Sequence, residues 1–588
     1  LRRSGGCSTE PSRARQQIWT TAAQGENVLI LAATPLTKMT ARRWGLLGLL
    51  LLCLLLFFWQ LDAYALFNET EAKQAEIARQ IWRRQDWLTP YYNGEIYFDK
   101  PILLHWLIAL CMPLVGLNEW AVRLPSAIAA TMLVFATWEF VQRFAGDRVA
   151  LLAATFLAAN PFTFTLARTG QHDMLLTGFF SLALYSWFIG YATGQTWGYL
   201  GFFAAIALAT LAKGPVAIVL SSLTLLGFIA GMGQWRQLRQ MPWLRGSLIL
   251  GAILLPWYGL MTGVHGGNFW AQFFGHSNVT RFLTPNLQQA APWYFYIVLL
   301  AVGGFPWNSL LLGALLERLR WRYLRPQHWR QVPPGDQLVP FTVIWLLAVV
   351  IFMSAAATKL PWYVFPGVPG LAVLCAIAWE SYIQRPRRSL SWQLGGIAVI
   401  YLITAAAGWS ILEEYGGGLE VQAIAATGVP YFWLGVVILT AIWIGVSAYY
   451  RQATWSLGGG AIAFVLIALS TVNPFMPALD QVALAAEMQP IVAALQTAVR
   501  EADSATLPVA LKLKAPTLNF YSRIDVIKWV EFREEFWALR RARPERLLLI
   551  TEQKTLKELA LNFPEATLIA KTADYRLLAL PPKAPPEN

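Results

Sequence analysis

The sequence predicts a mostly α-helical, polytopic membrane protein, on three observations. Of 588 residues, 56% are hydrophobic and only 13% charged, and the mean hydropathy is +0.45; one soluble core could not hide that much apolar surface. Runs such as WGLLGLLLLCLLLFFWQL from Trp44 and LVPFTVIWLLAVVIFMSAAA from Leu338 fall in the range of roughly 17 to 25 residues that crosses about 30 Å of hydrocarbon as a helix. The basic excess behind the net charge of +13 lies in short loops between these runs. Positive-inside topology explains that placement, and a nucleic-acid-binding face does not.

Residues 1–38 are polar, show little periodicity and end just before Met39. They are expected to be a disordered tail or to precede the true start. Arg42 and Arg43 ahead of the first span direct it outward, which makes residues 62–100 an extracytoplasmic first loop. Within it, NETEAKQAEIARQIW (Asn68 to Trp82) sets Ala72, Ala75, Ile77 and Ala78 against Glu69, Glu71, Lys73, Glu76 and Arg79. That spacing predicts an acidic amphipathic helix on the membrane surface. The next apolar run, Pro101 to Leu117, is short and carries Pro113, so a re-entrant or interfacial helix is expected.

Loops rich in arginine, at Arg236, Arg239 and Arg245, from Arg318 to Arg330, and at Arg385, Arg387 and Arg388, mark the cytoplasmic side. Alternation across them gives about 13 transmembrane helices, in a membrane domain spanning 39–474. The odd count places 475–588 outside. Strand-like LPVALKLK, ERLLLITE, ATLIAK and YRLLALP, with helix-like EMQPIVAALQTAVREA, predict a small α/β C-terminal extracytoplasmic domain. Cys53, Cys111 and Cys375 lie in apolar segments and Cys7 in the tail, without CxxC spacing. This pattern speaks against disulfide, zinc and redox motifs.

Charged residues collect at the outer ends of the expected helices: Asp99 and Lys100 in YFDKP, Asp173 in TGQHDMLL, Lys213 in LAKGP, Arg281 in NVTRF and Lys359 in TKLPWY. Any one of these lysines alone reads as a snorkelling anchor. Together they form a layer of acids and bases at one membrane face. That layer suits a substrate whose phosphate sits at headgroup level and whose tail lies in lipid. Cations stabilise phosphate as it leaves, and a carboxylate accepts a proton from an attacking hydroxyl.

The segments EAKQAEIARQIWRRQDWLTPYYNGEIYFDKPILLHWL, LNEWAVRLPSA, QHDMLLT, LAKGPVA, LPWYGLM, NFWAQFFGHSNVTRF and TKLPWYVFPGVPGLAVL occur in that order. In them the chain resembles the membrane glycosyltransferases of the type-C fold, in the branch of the lipid A aminoarabinose transferase and the dolichyl-phosphate-mannose protein mannosyltransferases. The resemblance implies an enzyme of the plasma (inner) membrane, acting at its extracytoplasmic face. It would move a sugar from a polyprenyl-phosphate donor to a lipid, glycan or protein acceptor by inverting displacement. The family's first loop carries an Asp-Glu pair; here Glu71 stands at the Glu and Thr70 where Asp is expected, so Glu69 and Glu71 both remain candidates for the principal acid. Asp99 and Lys100 match the acid-lysine-proline motif and Asp173 the acid of the second external loop. Lys213, Arg281 and Lys359 match basic positions that would hold the donor phosphate.

Asp99, Glu71 and Asp173 could share a divalent metal ion, with His172 and His276 on the same side, but no ligand-spaced cluster settles whether they do. Two other readings stay open. One is a lipid-linked sugar transporter or flippase, which would more often show internal repeats and charges deep within spans. The other is a non-catalytic scaffold derived from the enzyme.

Overall fold

The structure, a computed structural model, describes residues 35–582 apart from 285–290, 305, 312–313, 315–329, 386–387, 416–424, 484, 502–505, 514–515, 543–545, 559–562 and 573. Among the described residues, nine helices are long and apolar enough to cross a membrane. The number is ten if Asp147–Ala158 and Pro161–Ala167, which meet at 61°, form one broken span. The chain is an integral membrane protein. Two further apolar helices are shorter, Leu103–Val115 and Val216–Met232. At 13 residues the first reaches only about 20 Å, short of a crossing. The first helix starts at Pro35, inside the stretch expected to be a tail; residues 1–34 lie outside the described residues.

The hairpin of His172–Thr193 and Thr196–Lys213 brings two functional charges to one level. Gly194, at φ 72°, supplies the left-handed turn that ends the first helix. A Cβ on Gly198 would lie 2.5 Å from the Gly190 nitrogen, so the two backbones meet directly, as small residues allow in membrane bundles. The second helix therefore returns Lys213, its last residue, beside Asp173, the second residue of the first helix.

Past the first helix and its π-helical end, Leu54–Phe58, the backbone leaves helical geometry and its carbonyls lose their partners. Two buried arginines take six of them. Arg168 donates to Leu56, Trp59 and Gln60, and Arg123 to Leu61, Tyr64 and Ala65. A planar guanidinium with five donors suits this crowded task.

The first-loop helix, Lys73–Arg84, differs from its expected surface position: every residue from Gln74 to Ile81 is buried. Hydrophobic periodicity finds the face that seeks a core and cannot reveal that the polar face is covered as well. Ala75, Ile77, Ala78 and Ile81 pack with Leu104 and Ile108 of the Leu103–Val115 helix and with Phe520 of the C-terminal domain. The polar face is satisfied by ion pairs, Glu76 with Arg79 and Arg79 with Asp525. After this helix, β1 (Tyr91–Tyr92) and β2 (Glu95–Ile96) form a tight antiparallel hairpin. Its turn is Asn93–Gly94, with φ values of 52° and 85°, the two positive angles that a two-residue turn of this kind requires.

The C-terminal domain is a five-stranded mixed sheet of β3 (Leu507–Leu511), β4 (Lys528–Val530), β5 (Leu547–Glu552), β6 (Thr567–Lys571) and β7 (Tyr575–Leu580), in the order β4-β3-β5-β7-β6. β3 runs parallel to β4 and β5, while β7 is antiparallel to β5 and β6. Successive strand residues serve opposite faces. Ala510, Leu548 and Ile550 pack with Ile491 and Leu495 of the Ala485–Glu501 helix, and Val509, Leu511 and Leu549 pack with Phe536 on the other side.

A lysine-lined cavity as the candidate active site

Asp173 and Lys213 are held as an ion pair, with side chains only 10% and 13% exposed. Asp173 sits in the first turn of its helix and Lys213 in the last turn of its own, so each charge faces the favourable end of a helix dipole. The Lys213 ammonium also lies 4.8 Å from the centre of the Tyr363 ring, a cation–π contact. Sequence alone leaves Lys213 without a partner; the acid lies 40 residues earlier.

Lys213 and Lys100 line a cavity of about 370 Å³. The rest of the lining is mainly apolar, including Leu176, Val216, Val219, Phe282, Phe352 and Met353, with Ser277 and Thr358 as polar additions. The Ser277 hydroxyl donates to Asp99 at 3.0 Å, which fixes the residue beside Lys100 against the segment that follows the long Trp243–Trp270 helix. The cavity thus joins two ammonium groups to an apolar channel at the ends of helices apt to span a membrane. Chemically it can hold an anion whose remainder is hydrocarbon.

The other expected site residues are placed differently. Glu71 is completely buried. Its Oε1 accepts from Arg123 Nε at 3.0 Å and the Gly170 nitrogen at 2.8 Å, and its Oε2 from Arg123 Nη2 at 2.9 Å and the Phe67 nitrogen at 3.1 Å. A carboxylate with both oxygens so engaged is the counter-ion of Arg123, not an open proton acceptor. Lys359 donates to the Ala356 carbonyl at 2.7 Å and so ties its loop to the end of the Leu338–Ala355 helix. Phe282 and Leu283, beside Arg281, line the cavity, but the side chains of Arg281, Glu69 and His276 lie outside the described residues.

The trio considered for a metal does not assemble, because Glu71 is bound to Arg123 and Asp173 to Lys213. Among the described residues no group of three or more His, Cys, Asp or Glu side chains could hold a metal ion. His172 stacks edge-on to His105 at 5.3 Å, and His105 Nε2 lies 2.8 Å from Gln74 Oε1 on the loop helix. Arg123, Tyr363 and Ser277 were not anticipated. The signal for Arg123 was an arginine directly ahead of the uncharged run Leu124 to Trp138 in the helix Glu119–Ala145, a costly placement that implies a partner.

Comparisons with known proteins agree with this architecture. Residues 99–259 match the family model described as dolichyl-phosphate-mannose-protein mannosyltransferase. The chain is similar to the undecaprenyl phosphate-alpha-4-amino-4-deoxy-L-arabinose arabinosyl transferase of Edwardsiella ictaluri, with 26% identity over 82% of this chain and 87% of the relative. It is 31% identical to the enzyme of the same description from Pseudomonas paraeruginosa, over 60% of this chain and 63% of the relative, so this match spans less than two thirds of that protein. Its fold is similar to the crystal structure of ArnT from Cupriavidus metallidurans bound to undecaprenyl phosphate. The TM-score is 0.73 at 21% identity, covering 92% of this chain and 98% of that one. By sequence and by fold, the chain is similar to the membrane glycosyltransferases of the type-C fold.

Proposed function

We propose that the protein transfers a sugar from a polyprenyl-phosphate donor to an acceptor at the extracytoplasmic face of the inner membrane. The observation that carries this reading is the cavity with Lys100 and Lys213 set in an apolar lining. A polyprenyl phosphate needs both parts, cations for the phosphate and hydrocarbon-lined space for the first isoprene units. An acceptor attacks the anomeric carbon from the face opposite the phosphate. The bond from that carbon to the phosphate oxygen breaks, and polyprenyl phosphate departs with its charge stabilised by the two ammonium groups. Asp173 orients Lys213, and Asp99, through Ser277, holds Lys100 at the cavity.

Arg281, beside two lining residues, is a third candidate cation, and Lys359 keeps the loop at the rim in place. With Glu71 committed to Arg123, Glu69 is the remaining first-loop candidate to take the acceptor's proton. A hydroxyl acceptor requires that step, whereas an acceptor phosphate is already ionised. The acceptor is a lipid, a glycan or a protein. The names of the relatives make undecaprenyl phosphate-linked 4-amino-4-deoxy-L-arabinose the first donor to offer, and all of them are transferases, which gives no support to transport. The test is release of polyprenyl phosphate by purified protein given a panel of such donors and a membrane extract. Release with at least one donor, lost in Lys213→Ala, supports the reading; wild-type release that persists unchanged in the variant refutes the assigned role.

A further inference from the structure

The first loop is held by a segment of the C-terminal domain more than 400 residues away. Residues 519–529, which run from within the helix Pro516–Ser522 into β4, meet the loop at its entry, its helix and its hairpin. At the entry, the Tyr521 hydroxyl accepts from the Leu66 nitrogen at 2.9 Å and donates to Glu119 Oε1 at 2.5 Å. This ties the start of the loop to the start of the next long helix. On the loop helix, Asp525 accepts from Arg79 and Gln80, each at 2.9 Å, and pairs with Arg83. At the hairpin turn, Asn93 Nδ2 donates to the Ile527 carbonyl at 2.9 Å while its Oδ1 accepts from the Ile527 nitrogen at 2.8 Å and from Asn519 Nδ2 at 3.1 Å. Phe520, 1% exposed, inserts among the buried residues of the loop helix.

A tether would need none of these directed bonds. Their effect is to fix the loop in orientation as well as in place, and the hairpin leads within a few residues into Asp99 and Lys100. Lys213 and the lining residues Leu176, Val216, Val219, Phe352 and Met353 lie instead on the helices His172–Thr193, Thr196–Lys213, Val216–Met232 and Leu338–Ala355. We infer that residues 519–529 are a positioning clamp: they set the first loop, and through it Lys100, for the transfer step, so that the C-terminal domain acts on turnover more than on donor retention. This inference rests on the transferase reading above.

The test compares full-length wild type with Asp525→Asn, Asp525→Glu and Asn93→Gly; the glycine keeps the turn's positive φ and removes the side-chain clamp. Hydrogen exchange of 73–84 and 90–97 reads the clamp without any substrate. In Asp525→Asn and Asn93→Gly it should rise about tenfold while β3 and β5 keep their protection. In turnover assays kcat should fall about tenfold in both, with donor Kd within about twofold of wild type, and Asp525→Glu should recover most of the loss. Unchanged exchange overturns the clamp. Faster exchange with wild-type kcat, or a Kd that rises in step with the loss of kcat, overturns its positioning role. A wild type that turns over no donor defeats the transferase reading alone, and exchange then decides the clamp.

Discussion

Glu71 and Arg123, 52 residues apart in sequence, form a completely buried bidentate pair in which both carboxylate oxygens and all three guanidinium nitrogens are engaged. The pair joins the first loop, the chain that leaves the first helix and the start of the Glu119–Ala145 helix.

Removal of one partner leaves a buried charge without compensation. Arg123→Ala is therefore expected to destabilise the fold by about 3–5 kcal/mol, and Glu71→Gln to lower thermal stability as well. The check is thermal denaturation of purified protein together with turnover per folded molecule. A Glu71→Gln variant that melts like wild type and yet has no turnover would return Glu71 to the catalytic set.

Loss of the Lys213 ammonium removes a charge-assisted contact of about 1.5–3 kcal/mol, so Lys213→Ala should weaken donor binding roughly 10- to 100-fold. Asp173→Asn keeps the lysine but not its orientation, and its effect should fall on kcat, by about tenfold. Titration with a polyprenyl phosphate, set beside steady-state kinetics, separates the two.

The docking of the C-terminal domain should depend on pH. Burial raises the Asp525 carboxyl, but hydrogen bonds from Gln80 and Arg79 and the charges of Arg79 and Arg83 outweigh it and hold the group below the ordinary aspartate value of 3.8. A group depressed in the folded state stabilises above its unfolded pKa, and that stabilisation is lost as pH falls through the folded value. Exchange of the loop helix should accordingly stay slow at neutral pH and rise below pH 3.8. In Asp525→Asn the part of that rise due to this group should vanish.

Gly198→Ala places a methyl group against the backbone of Gly190, which cannot give way as a side chain could. A loss of about 1–3 kcal/mol is expected, as for other overpacked contacts, and because the hairpin sets the Asp173–Lys213 pair, donor affinity should fall with it. Thermal melting and donor titration check both effects.

The sequence made legible what is local or repeats with a short period. Long apolar runs marked the bundle, short strand-like apolar runs marked β3, β5, β6 and β7, and charges at helix ends marked Lys100, Asp173 and Lys213. The Asn93–Gly94 turn is equally legible, as an Asn-Gly pair between two short extended stretches. What stayed hidden depends on distant partners. The expectation that the polar face of Lys73–Arg84 meets water failed because Asp525 covers it from 446 residues away. Nothing local to Glu71 reveals that Arg123 will occupy it.

The most direct measurement of the central claim is the binding of undecaprenyl phosphate to the purified protein by native mass spectrometry, in wild type and in the double variant Lys100→Ala, Lys213→Ala. The account predicts one equivalent bound to wild type and little to the double variant, which should remain folded. Equal binding to both, or none to wild type, would contradict the assignment of this cavity to the lipid phosphate.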